Sequence, residues 1–250
     1  MNQLGGNTFP TDVRYTGLQA PSAITAANHF YAGTATSEAT LTNSMVFSVE
    51  LIPQFINLAQ GQLTFPIKPV VIKGIEVAGI LFLTTQQVRD LKKNFTSGEW
   101  GDIYRAALQG GQVTGNPIFT GSIGMIDNVV IHQDSRVPWG DTSQNVVWDP
   151  NTGTNVAAPT ALGLAAAGTT SVGRAIFVGA QAAAFACGAE EGPAGAPLRV
   201  RWVEELLDAN NQLRVTAGMI WGIKKTVFNS QDYATVVCST WNNPSNNPAA

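Results

Sequence analysis

From Met45 onward, apolar residues recur at helical spacing: Val49, Ile52, Phe55, Ile56 and Ala59 complete one stripe. A helix is therefore expected from Asn43 or Ser44, and Pro53, inside the stripe, either kinks it or moves its start downstream. Between Leu63 and Thr84 the pattern turns extended. Pro66 and Pro69 mark an edge, Lys73-Gly74 a turn, and Ile80–Leu83 a fully buried strand. Thr84-Thr85-Gln86-Gln87 then reads as a capping box, in which the Thr84 hydroxyl accepts from an orphan N–H while Gln87 reaches back. The helix it opens runs through Val88 and Leu91 toward Asn94. A further short helix over Trp100, Ile103, Tyr104, Ala107 and Leu108 stops at Gly110-Gly111, and 84–109 is the clearest segment of the chain.

Downstream the pattern becomes that of β structure. Asn128–Gln133 reads as a short strand and Ala175–Val178 as a buried one, with Gln181–Ala186 a small-residue helix or turn packed closely. Leu198–Leu207 and Leu213–Phe228 flank Asn210-Asn211, a pair that tolerates left-handed backbone, so they predict a hairpin. A last strand covers Tyr233–Thr240. Residues 1–42 show no sustained period and read as an irregular extended segment. Residues 139–173 read as a long, almost uncharged loop, and 242–250 as a disordered tail. The class is α+β, without internal repeats.

Composition changes this picture in one respect. Hydrophobic residues make up an ordinary 44% of the 250, but charged residues only 12%, about half the roughly 25% of a soluble domain. Charge is what interface centres lack most, so the shortage leans toward an assembly. The net charge is −3 and the longest basic runs are Lys92-Lys93 and Lys224-Lys225, which excludes a phosphate-gripping basic patch. The first residues lack the basic start and apolar stretch of a signal peptide, and no run of about 18 apolar residues marks a membrane span. Cys187 and Cys238 stand far apart; free packing thiols in a reducing compartment are the first reading, a single buried disulfide the alternative.

The search for chemistry returns little. His29 and His132 are the only histidines, and His132, in an apolar strand, reads as a structural imidazole. No grouping of His, Cys and carboxylates has metal-ligand spacing. Thr120-Gly121-Ser122-Ile123-Gly124 fails as a nucleophile elbow because Thr120 stands where glycine is required. Neither phosphate-cradling glycine motif occurs. Catalytic residues, metal and cofactors are thus expected to be none. The remaining candidates are intersubunit contacts. Glu204, Glu205 and Asp208 could meet Arg199, Arg201, Lys224 and Lys225 across a hairpin or a subunit boundary, with Trp202 and Trp221 as core or interface anchors.

Several blocks, in order, carry a resemblance. Ile80-Leu-Phe-Leu-Thr-Thr-Gln-Gln-Val-Arg-Asp-Leu-Lys, Trp100-Gly-Asp-Ile-Tyr-Arg-Ala-Ala-Leu-Gln-Gly-Gly and Asn116-Pro-Ile-Phe-Thr-Gly-Ser-Ile-Gly-Met-Ile-Asp-Asn-Val-Val-Ile-His resemble phage major capsid proteins of the N-four-like family. Gly173-Arg-Ala-Ile-Phe-Val-Gly-Ala-Gln-Ala and Trp221-Gly-Ile-Lys-Lys-Thr-Val-Phe-Asn continue it, so the similarity spans roughly 43–241. The resemblance implies the tailed-phage major capsid (HK-ninety-seven-like, Johnson) fold. Residues 43–190 would then be A-domain-like, including the loop 139–173, and 191–241 would supply P-domain-like strands. Met1–Gly6 looks like the residues just after that fold's spine helix, so the N-arm, extended loop and spine helix are expected to be lacking here.

The resemblance implies a structural, non-enzymatic protein of the virion, made in the host bacterial cytoplasm. It would assemble with itself into hexamers and pentamers of an icosahedral head. Portal, scaffold or decoration proteins would be further partners, and double-stranded DNA would be enclosed without sequence-specific binding. In a head to tail ring the contact is heterologous, and one sequence must serve both ring sizes; the loop 139–173 is the expected source of that tolerance. The alternatives are an encapsulin-like nanocompartment shell, marked by a cargo's docking tail; an α+β enzyme or ligand binder, marked by a pocket with convergent polar groups; and a decoration or tail component, marked by a different symmetry.

Overall fold

The computed structural model describes residues 4, 22–72, 74–94, 122–137, 139–141, 146–149, 154–157, 171–188, 190–191, 197–198, 200–208 and 211–242. In chain order the strands are β1 His29–Tyr31, β2 Val70–Ile72, β3 Ile75–Val77, β4 Gly79–Leu83, β5 Ser122–Ile126, β6 Val129–Gln133, β7 Trp139–Asp141, β8 Val146–Asp149, β9 Thr154–Ala157 and β10 Ser171–Val178. They continue with β11 Ala183–Cys187, β12 Glu190–Glu191, β13 Pro197–Leu198, β14 Val200–Leu207, β15 Gln212–Met219, β16 Trp221–Lys225, β17 Val227–Phe228, β18 Gln231–Asp232 and β19 Thr235–Trp241. Among the described residues two α-helices, α1 Leu51–Asn57 and α2 Thr85–Asn94, join them.

Nine strands make one mixed sheet with β10 at its centre. Along one side, β10 pairs antiparallel from Val172 to Val178 with the full length of β19, and β19 pairs parallel with β1. Along the other side, the half at Ile176–Val178 meets β4 and the half at Ser171–Gly173 meets β7. From β4 the sheet continues to β6 and β5, and from β7 to β8 and β9. Successive β-carbons point to opposite faces and register partners to the same one, so register sorts the core. Val236, Cys238, Ala175, Phe177, Leu81 and Leu83 line one face, where Phe55 and Ile52 of α1 and Val88 and Leu91 of α2 cover them. Val237, Ile176 and Val137 form a small second cluster on the other.

The start of α1 settles what Pro53 does. The helix begins at Leu51, so Pro53 is its third residue, where the backbone N–H has no intrahelical acceptor and its loss costs no bond. The stripe from Met45 is thus half helix, half irregular chain, and after Asn57 the winding loosens into a π-turn over Leu58–Gln62. The capping box at α2 forms as read: Gln87 N donates to Thr84 Oγ1 at 3.1 Å and Thr84 N to Gln87 Oε1 at 3.0 Å. Gln87 Nε2 also donates to the Gly173 carbonyl and to Thr240 Oγ1, so the cap residue rivets α2 to β10 and β19. The helix over 100–109 lies outside the described residues.

Several expectations need correction. The segment 139–173 is not one loop: it carries β7, β8 and β9, an antiparallel meander whose short alternating runs were masked by its Gly, Asn and Thr content. Residues 29–31 of the supposedly irregular start are a strand of the main sheet. Gln181–Ala186 is a turn only at its start, where Gln181 takes φ 68° and Ala182 is buried; Ala183–Ala186 lie exposed in β11. Ile80–Leu83 is buried on one face only. A division at 190/191 would cut β19 from the sheet it completes; compact units run over 1–182 with 225–250, and over 183–224. The second unit contains the hairpin β14–β15 and the pair β11–β16.

Candidate functional site

The candidate contact residues fall on the hairpin and on β16. Strands β14 and β15 pair from Val200↔Met219 to Leu207↔Gln212, closed by a turn in which Asn211 N donates to the Asp208 carbonyl and Asp208 takes φ 52°. Trp202, Glu204, Glu205 and Asp208 are exposed along it, and Lys224 and Trp221 are exposed on β16. Arg201 sits opposite Gly218 in register; its side chain, and Arg199 altogether, lie outside the described residues. Glu204 accepts from Trp202 Nε1 at 2.8 Å, and Glu205 faces Arg214 across the hairpin at 4.0 Å. Arg214 was not among the candidates, although counting outward from the turn pairs it with Glu205. Trp221 lies against Phe185, ring centroids 6.1 Å apart.

Lys225 leaves this set. Only 3% exposed, it bonds Asp232 at 2.8 Å and the Ala23 carbonyl at 2.8 Å, while Asp232 accepts from Thr25 N and its own N–H donates to Thr25 Oγ1. The pair pins residues 23–28 to the chain around 232–235, helped by Asn28 Nδ2 donating to the carbonyls of Asp232 and Thr235. Adjacency to Lys224 in sequence hid this, because alternation in a strand sends neighbours to opposite faces.

The densest polar cluster is one that sequence reading passed over. Arg174 on β10 donates from Nε to Glu38 Oε1 at 2.7 Å and from Nη2 to Oε2 at 3.0 Å, a bidentate pair with both side chains 8% exposed. Ser239, opposite Arg174 in the sheet register, donates to the same Oε1 at 2.7 Å. His29 Nε2 lies 2.8 Å from Ser239 Oγ, and Tyr31 Oη 3.4 Å from His29 Nδ1. A histidine, a serine and a carboxylate thus meet, but their proton order is wrong for catalysis. The one Ser239 hydrogen goes to Glu38, so the imidazole must donate to Ser239 and cannot act as its base. Ser239 is fully buried, and burial above all holds the His29 pKa down at about 4, from 6.5, against Glu38, which raises it. Arg174 adds to the lowering. The cluster locks β1, β10, β19 and the 3-10 turn at Glu38 together.

A cleft of about 420 Å³ beside α2 is lined by Thr85, Val88, Arg89, Lys92, Lys93 and Gln133. Helical spacing adds Arg89 to the Lys92-Lys93 pair seen in sequence, and Arg89 bonds Asp90 at 3.0 Å. His132 packs edge-on against Phe82, as a structural imidazole would. Both cysteines are free, Cys238 buried with its thiol pKa pushed up by burial and Cys187 half-buried. Among the described residues there is no group of three or more His, Cys, Asp or Glu placed to hold a metal, and no helix long and apolar enough to cross a membrane.

With catalytic geometry missing from the best-furnished cluster, comparison with known proteins decides the class. A family model described as phage capsid protein matches residues 1–241. The chain belongs to that family. The capsid of Ralstonia phage GP4 is similar over 99% of this chain and 63% of its own, with a TM-score of 0.70 and 28% identity. The head structure of Helicobacter pylori bacteriophage KHP40 is similar over 86% of this chain and 60% of its own, with a TM-score of 0.53 and 18% identity, a likeness of fold. The chain therefore spans less than two thirds of either capsid chain. No curated protein matches. The α+β class and tailed-phage capsid fold implied by the sequence blocks are those of these neighbours. Membership of a capsid family makes the chain a structural protein of the virion.

Proposed function

We propose that the chain is the shell-forming part of a major capsid protein, building hexamers and pentamers of an icosahedral head that encloses double-stranded DNA. The match to the phage capsid family along residues 1–241 carries this reading. The low charge content and the exposed apolar strands of residues 200–221 support it, since both suit a surface that meets neighbours. On this reading the protein is no enzyme: geometry replaces chemistry, and the buried Glu38–Arg174 cluster serves to hold the sheet rigid. The nine-stranded sheet with its helices belongs to the A-domain. The strands of 191–224 belong to the P-domain. Net charge −3 suits an inner wall that does not grip its genome.

Electron microscopy of particles containing the chain tests the proposal. Closed shells with five- and sixfold capsomers that contain DNA are the expected result. Closed shells holding a protein cargo instead of DNA would replace it with a nanocompartment, and rings or tubes of another symmetry with a decoration or tail component.

A further inference from the structure

The hairpin β14–β15 has two unlike faces. Register places Trp202 beside Ala217, Glu204 beside Val215 and Leu206 beside Leu213 on one of them. The other carries Val203 beside Thr216, Glu205 beside Arg214 and Leu207 beside Gln212. The first face is apolar, yet it is bare: Trp202 is 61% exposed, Leu206 59%, Leu213 61% and Val215 45%. A two-stranded ribbon on its own is marginal in water, and an apolar face on one that is left in solvent is a cost with no return.

We infer that this face, Trp202, Leu206, Leu213 and Val215, is covered in the assembled protein by a second copy of the chain. The inference rests on the capsid reading and names one contact within it. Area and charge choose the occupant. The four side chains expose on the order of 450 Å², so a partner surface of equal size would bring the buried total to about 900 Å², close to the ~1,000 Å² of a specific interface before any flanking contact is added. The one ionisable group of the face, Glu204, is an anion already engaged by Trp202 Nε1, which disfavours nucleic acid and calls for an apolar partner. A shell subunit meets such a partner in every position, namely its own neighbour, and a ring contact is heterologous, so the receiving surface is a different patch. The chain supplies apolar patches of its own, with Phe185 60%, Ile220 65% and Phe228 57% exposed.

The test places a photo-crosslinking residue at position 206 in particles assembled from a mixture of isotopically light and heavy full-length chains. Crosslinked peptides that mix light and heavy labels are expected. Same-label crosslinks alone, meaning cover by the chain's own residues, or crosslinks to another virion protein would overturn the inference. In parallel, Leu206→Asp with Leu213→Asp is compared with Val203→Asp with Leu207→Asp, equal charge on the opposite face. The first pair should lower particle yield about tenfold or more while the second leaves it near wild type. Undiminished particles from the first pair, or equal loss from both, would sink this contact and leave the capsid reading standing. Wild-type chain that forms no shells would sink both.

Discussion

Strands β19 and β14 are close in length and in chain position, and both are rich in Val, Thr, Trp or Leu. Six of the seven residues of β19 are buried, whereas every described side chain of β14 is exposed. The difference is in neighbours. β19 lies between β1 and β10 with covered faces on both sides, while β14, among the described residues, has β15 alone. Burial here follows from how many surfaces the fold brings to a strand. An apolar strand with one partner marks where the fold expects something from outside.

If that contrast is right, substitutions should sort by side. Glu38→Ala strips the Arg174 guanidinium of its buried carboxylate and should cost about 3–5 kcal/mol, read by urea unfolding of the full chain. Leu81→Ala, fully buried in β4, should cost about 2–5 kcal/mol in the same assay.

Acid should act through His29. Its pKa is about 4 in the folded chain and 6.5 in an exposed imidazole. The unfolded chain therefore takes up a proton first as pH falls. Stability is unaffected above about 6.5 and is lost between there and 4, by on the order of 3 kcal/mol. The difference between wild type and His29→Gln across that window isolates the effect, and a constant difference would refute it. Thr84→Ala, which removes the α2 cap, should cost about 1 kcal/mol. Leu206→Asp with Leu213→Asp should change the stability of the unassembled chain by less than about 0.5 kcal/mol per site. A loss there comparable to Leu81→Ala would break the contrast, since the hairpin would then be core.

Legibility followed the same division. The capping box at Thr84 and a hairpin turning near Asn210-Asn211 were readable because each rests on local geometry, and the late start of α1 was one of the two readings Pro53 allowed. The meander β7–β9 was not, because three short strands of Gly, Thr and Asn lack the apolar alternation of a strand that packs a core. The type of turn at Asp127-Asn128, with φ of 50° and 61°, was available in those two residues and went unread as a hairpin signal. The Glu38–Arg174–Ser239–His29 cluster draws on positions spread from 29 to 239, and Lys225 reaches back to the Ala23 carbonyl; sequence spacing holds no trace of such meetings. The candidate contacts on β14 were found through charge, yet the hairpin's alternation points more directly to its apolar face.

The joining of β1 to β19 has a kinetic side. His29 and Ser239, hydrogen-bonded in the finished sheet, are 210 positions apart in the chain. Such pairings carry a large loop-closure penalty and form late. While the ribosome is still extending the chain, β10 waits with its β19 edge open, and the Glu38–Arg174 lock waits for Ser239. Subunit folding would then be gated by the arrival of residues 235–241. Until those residues are made, β10 and β1 lack the strand that joins them, so completion of the subunit's sheet is tied in time to the synthesis of one late segment.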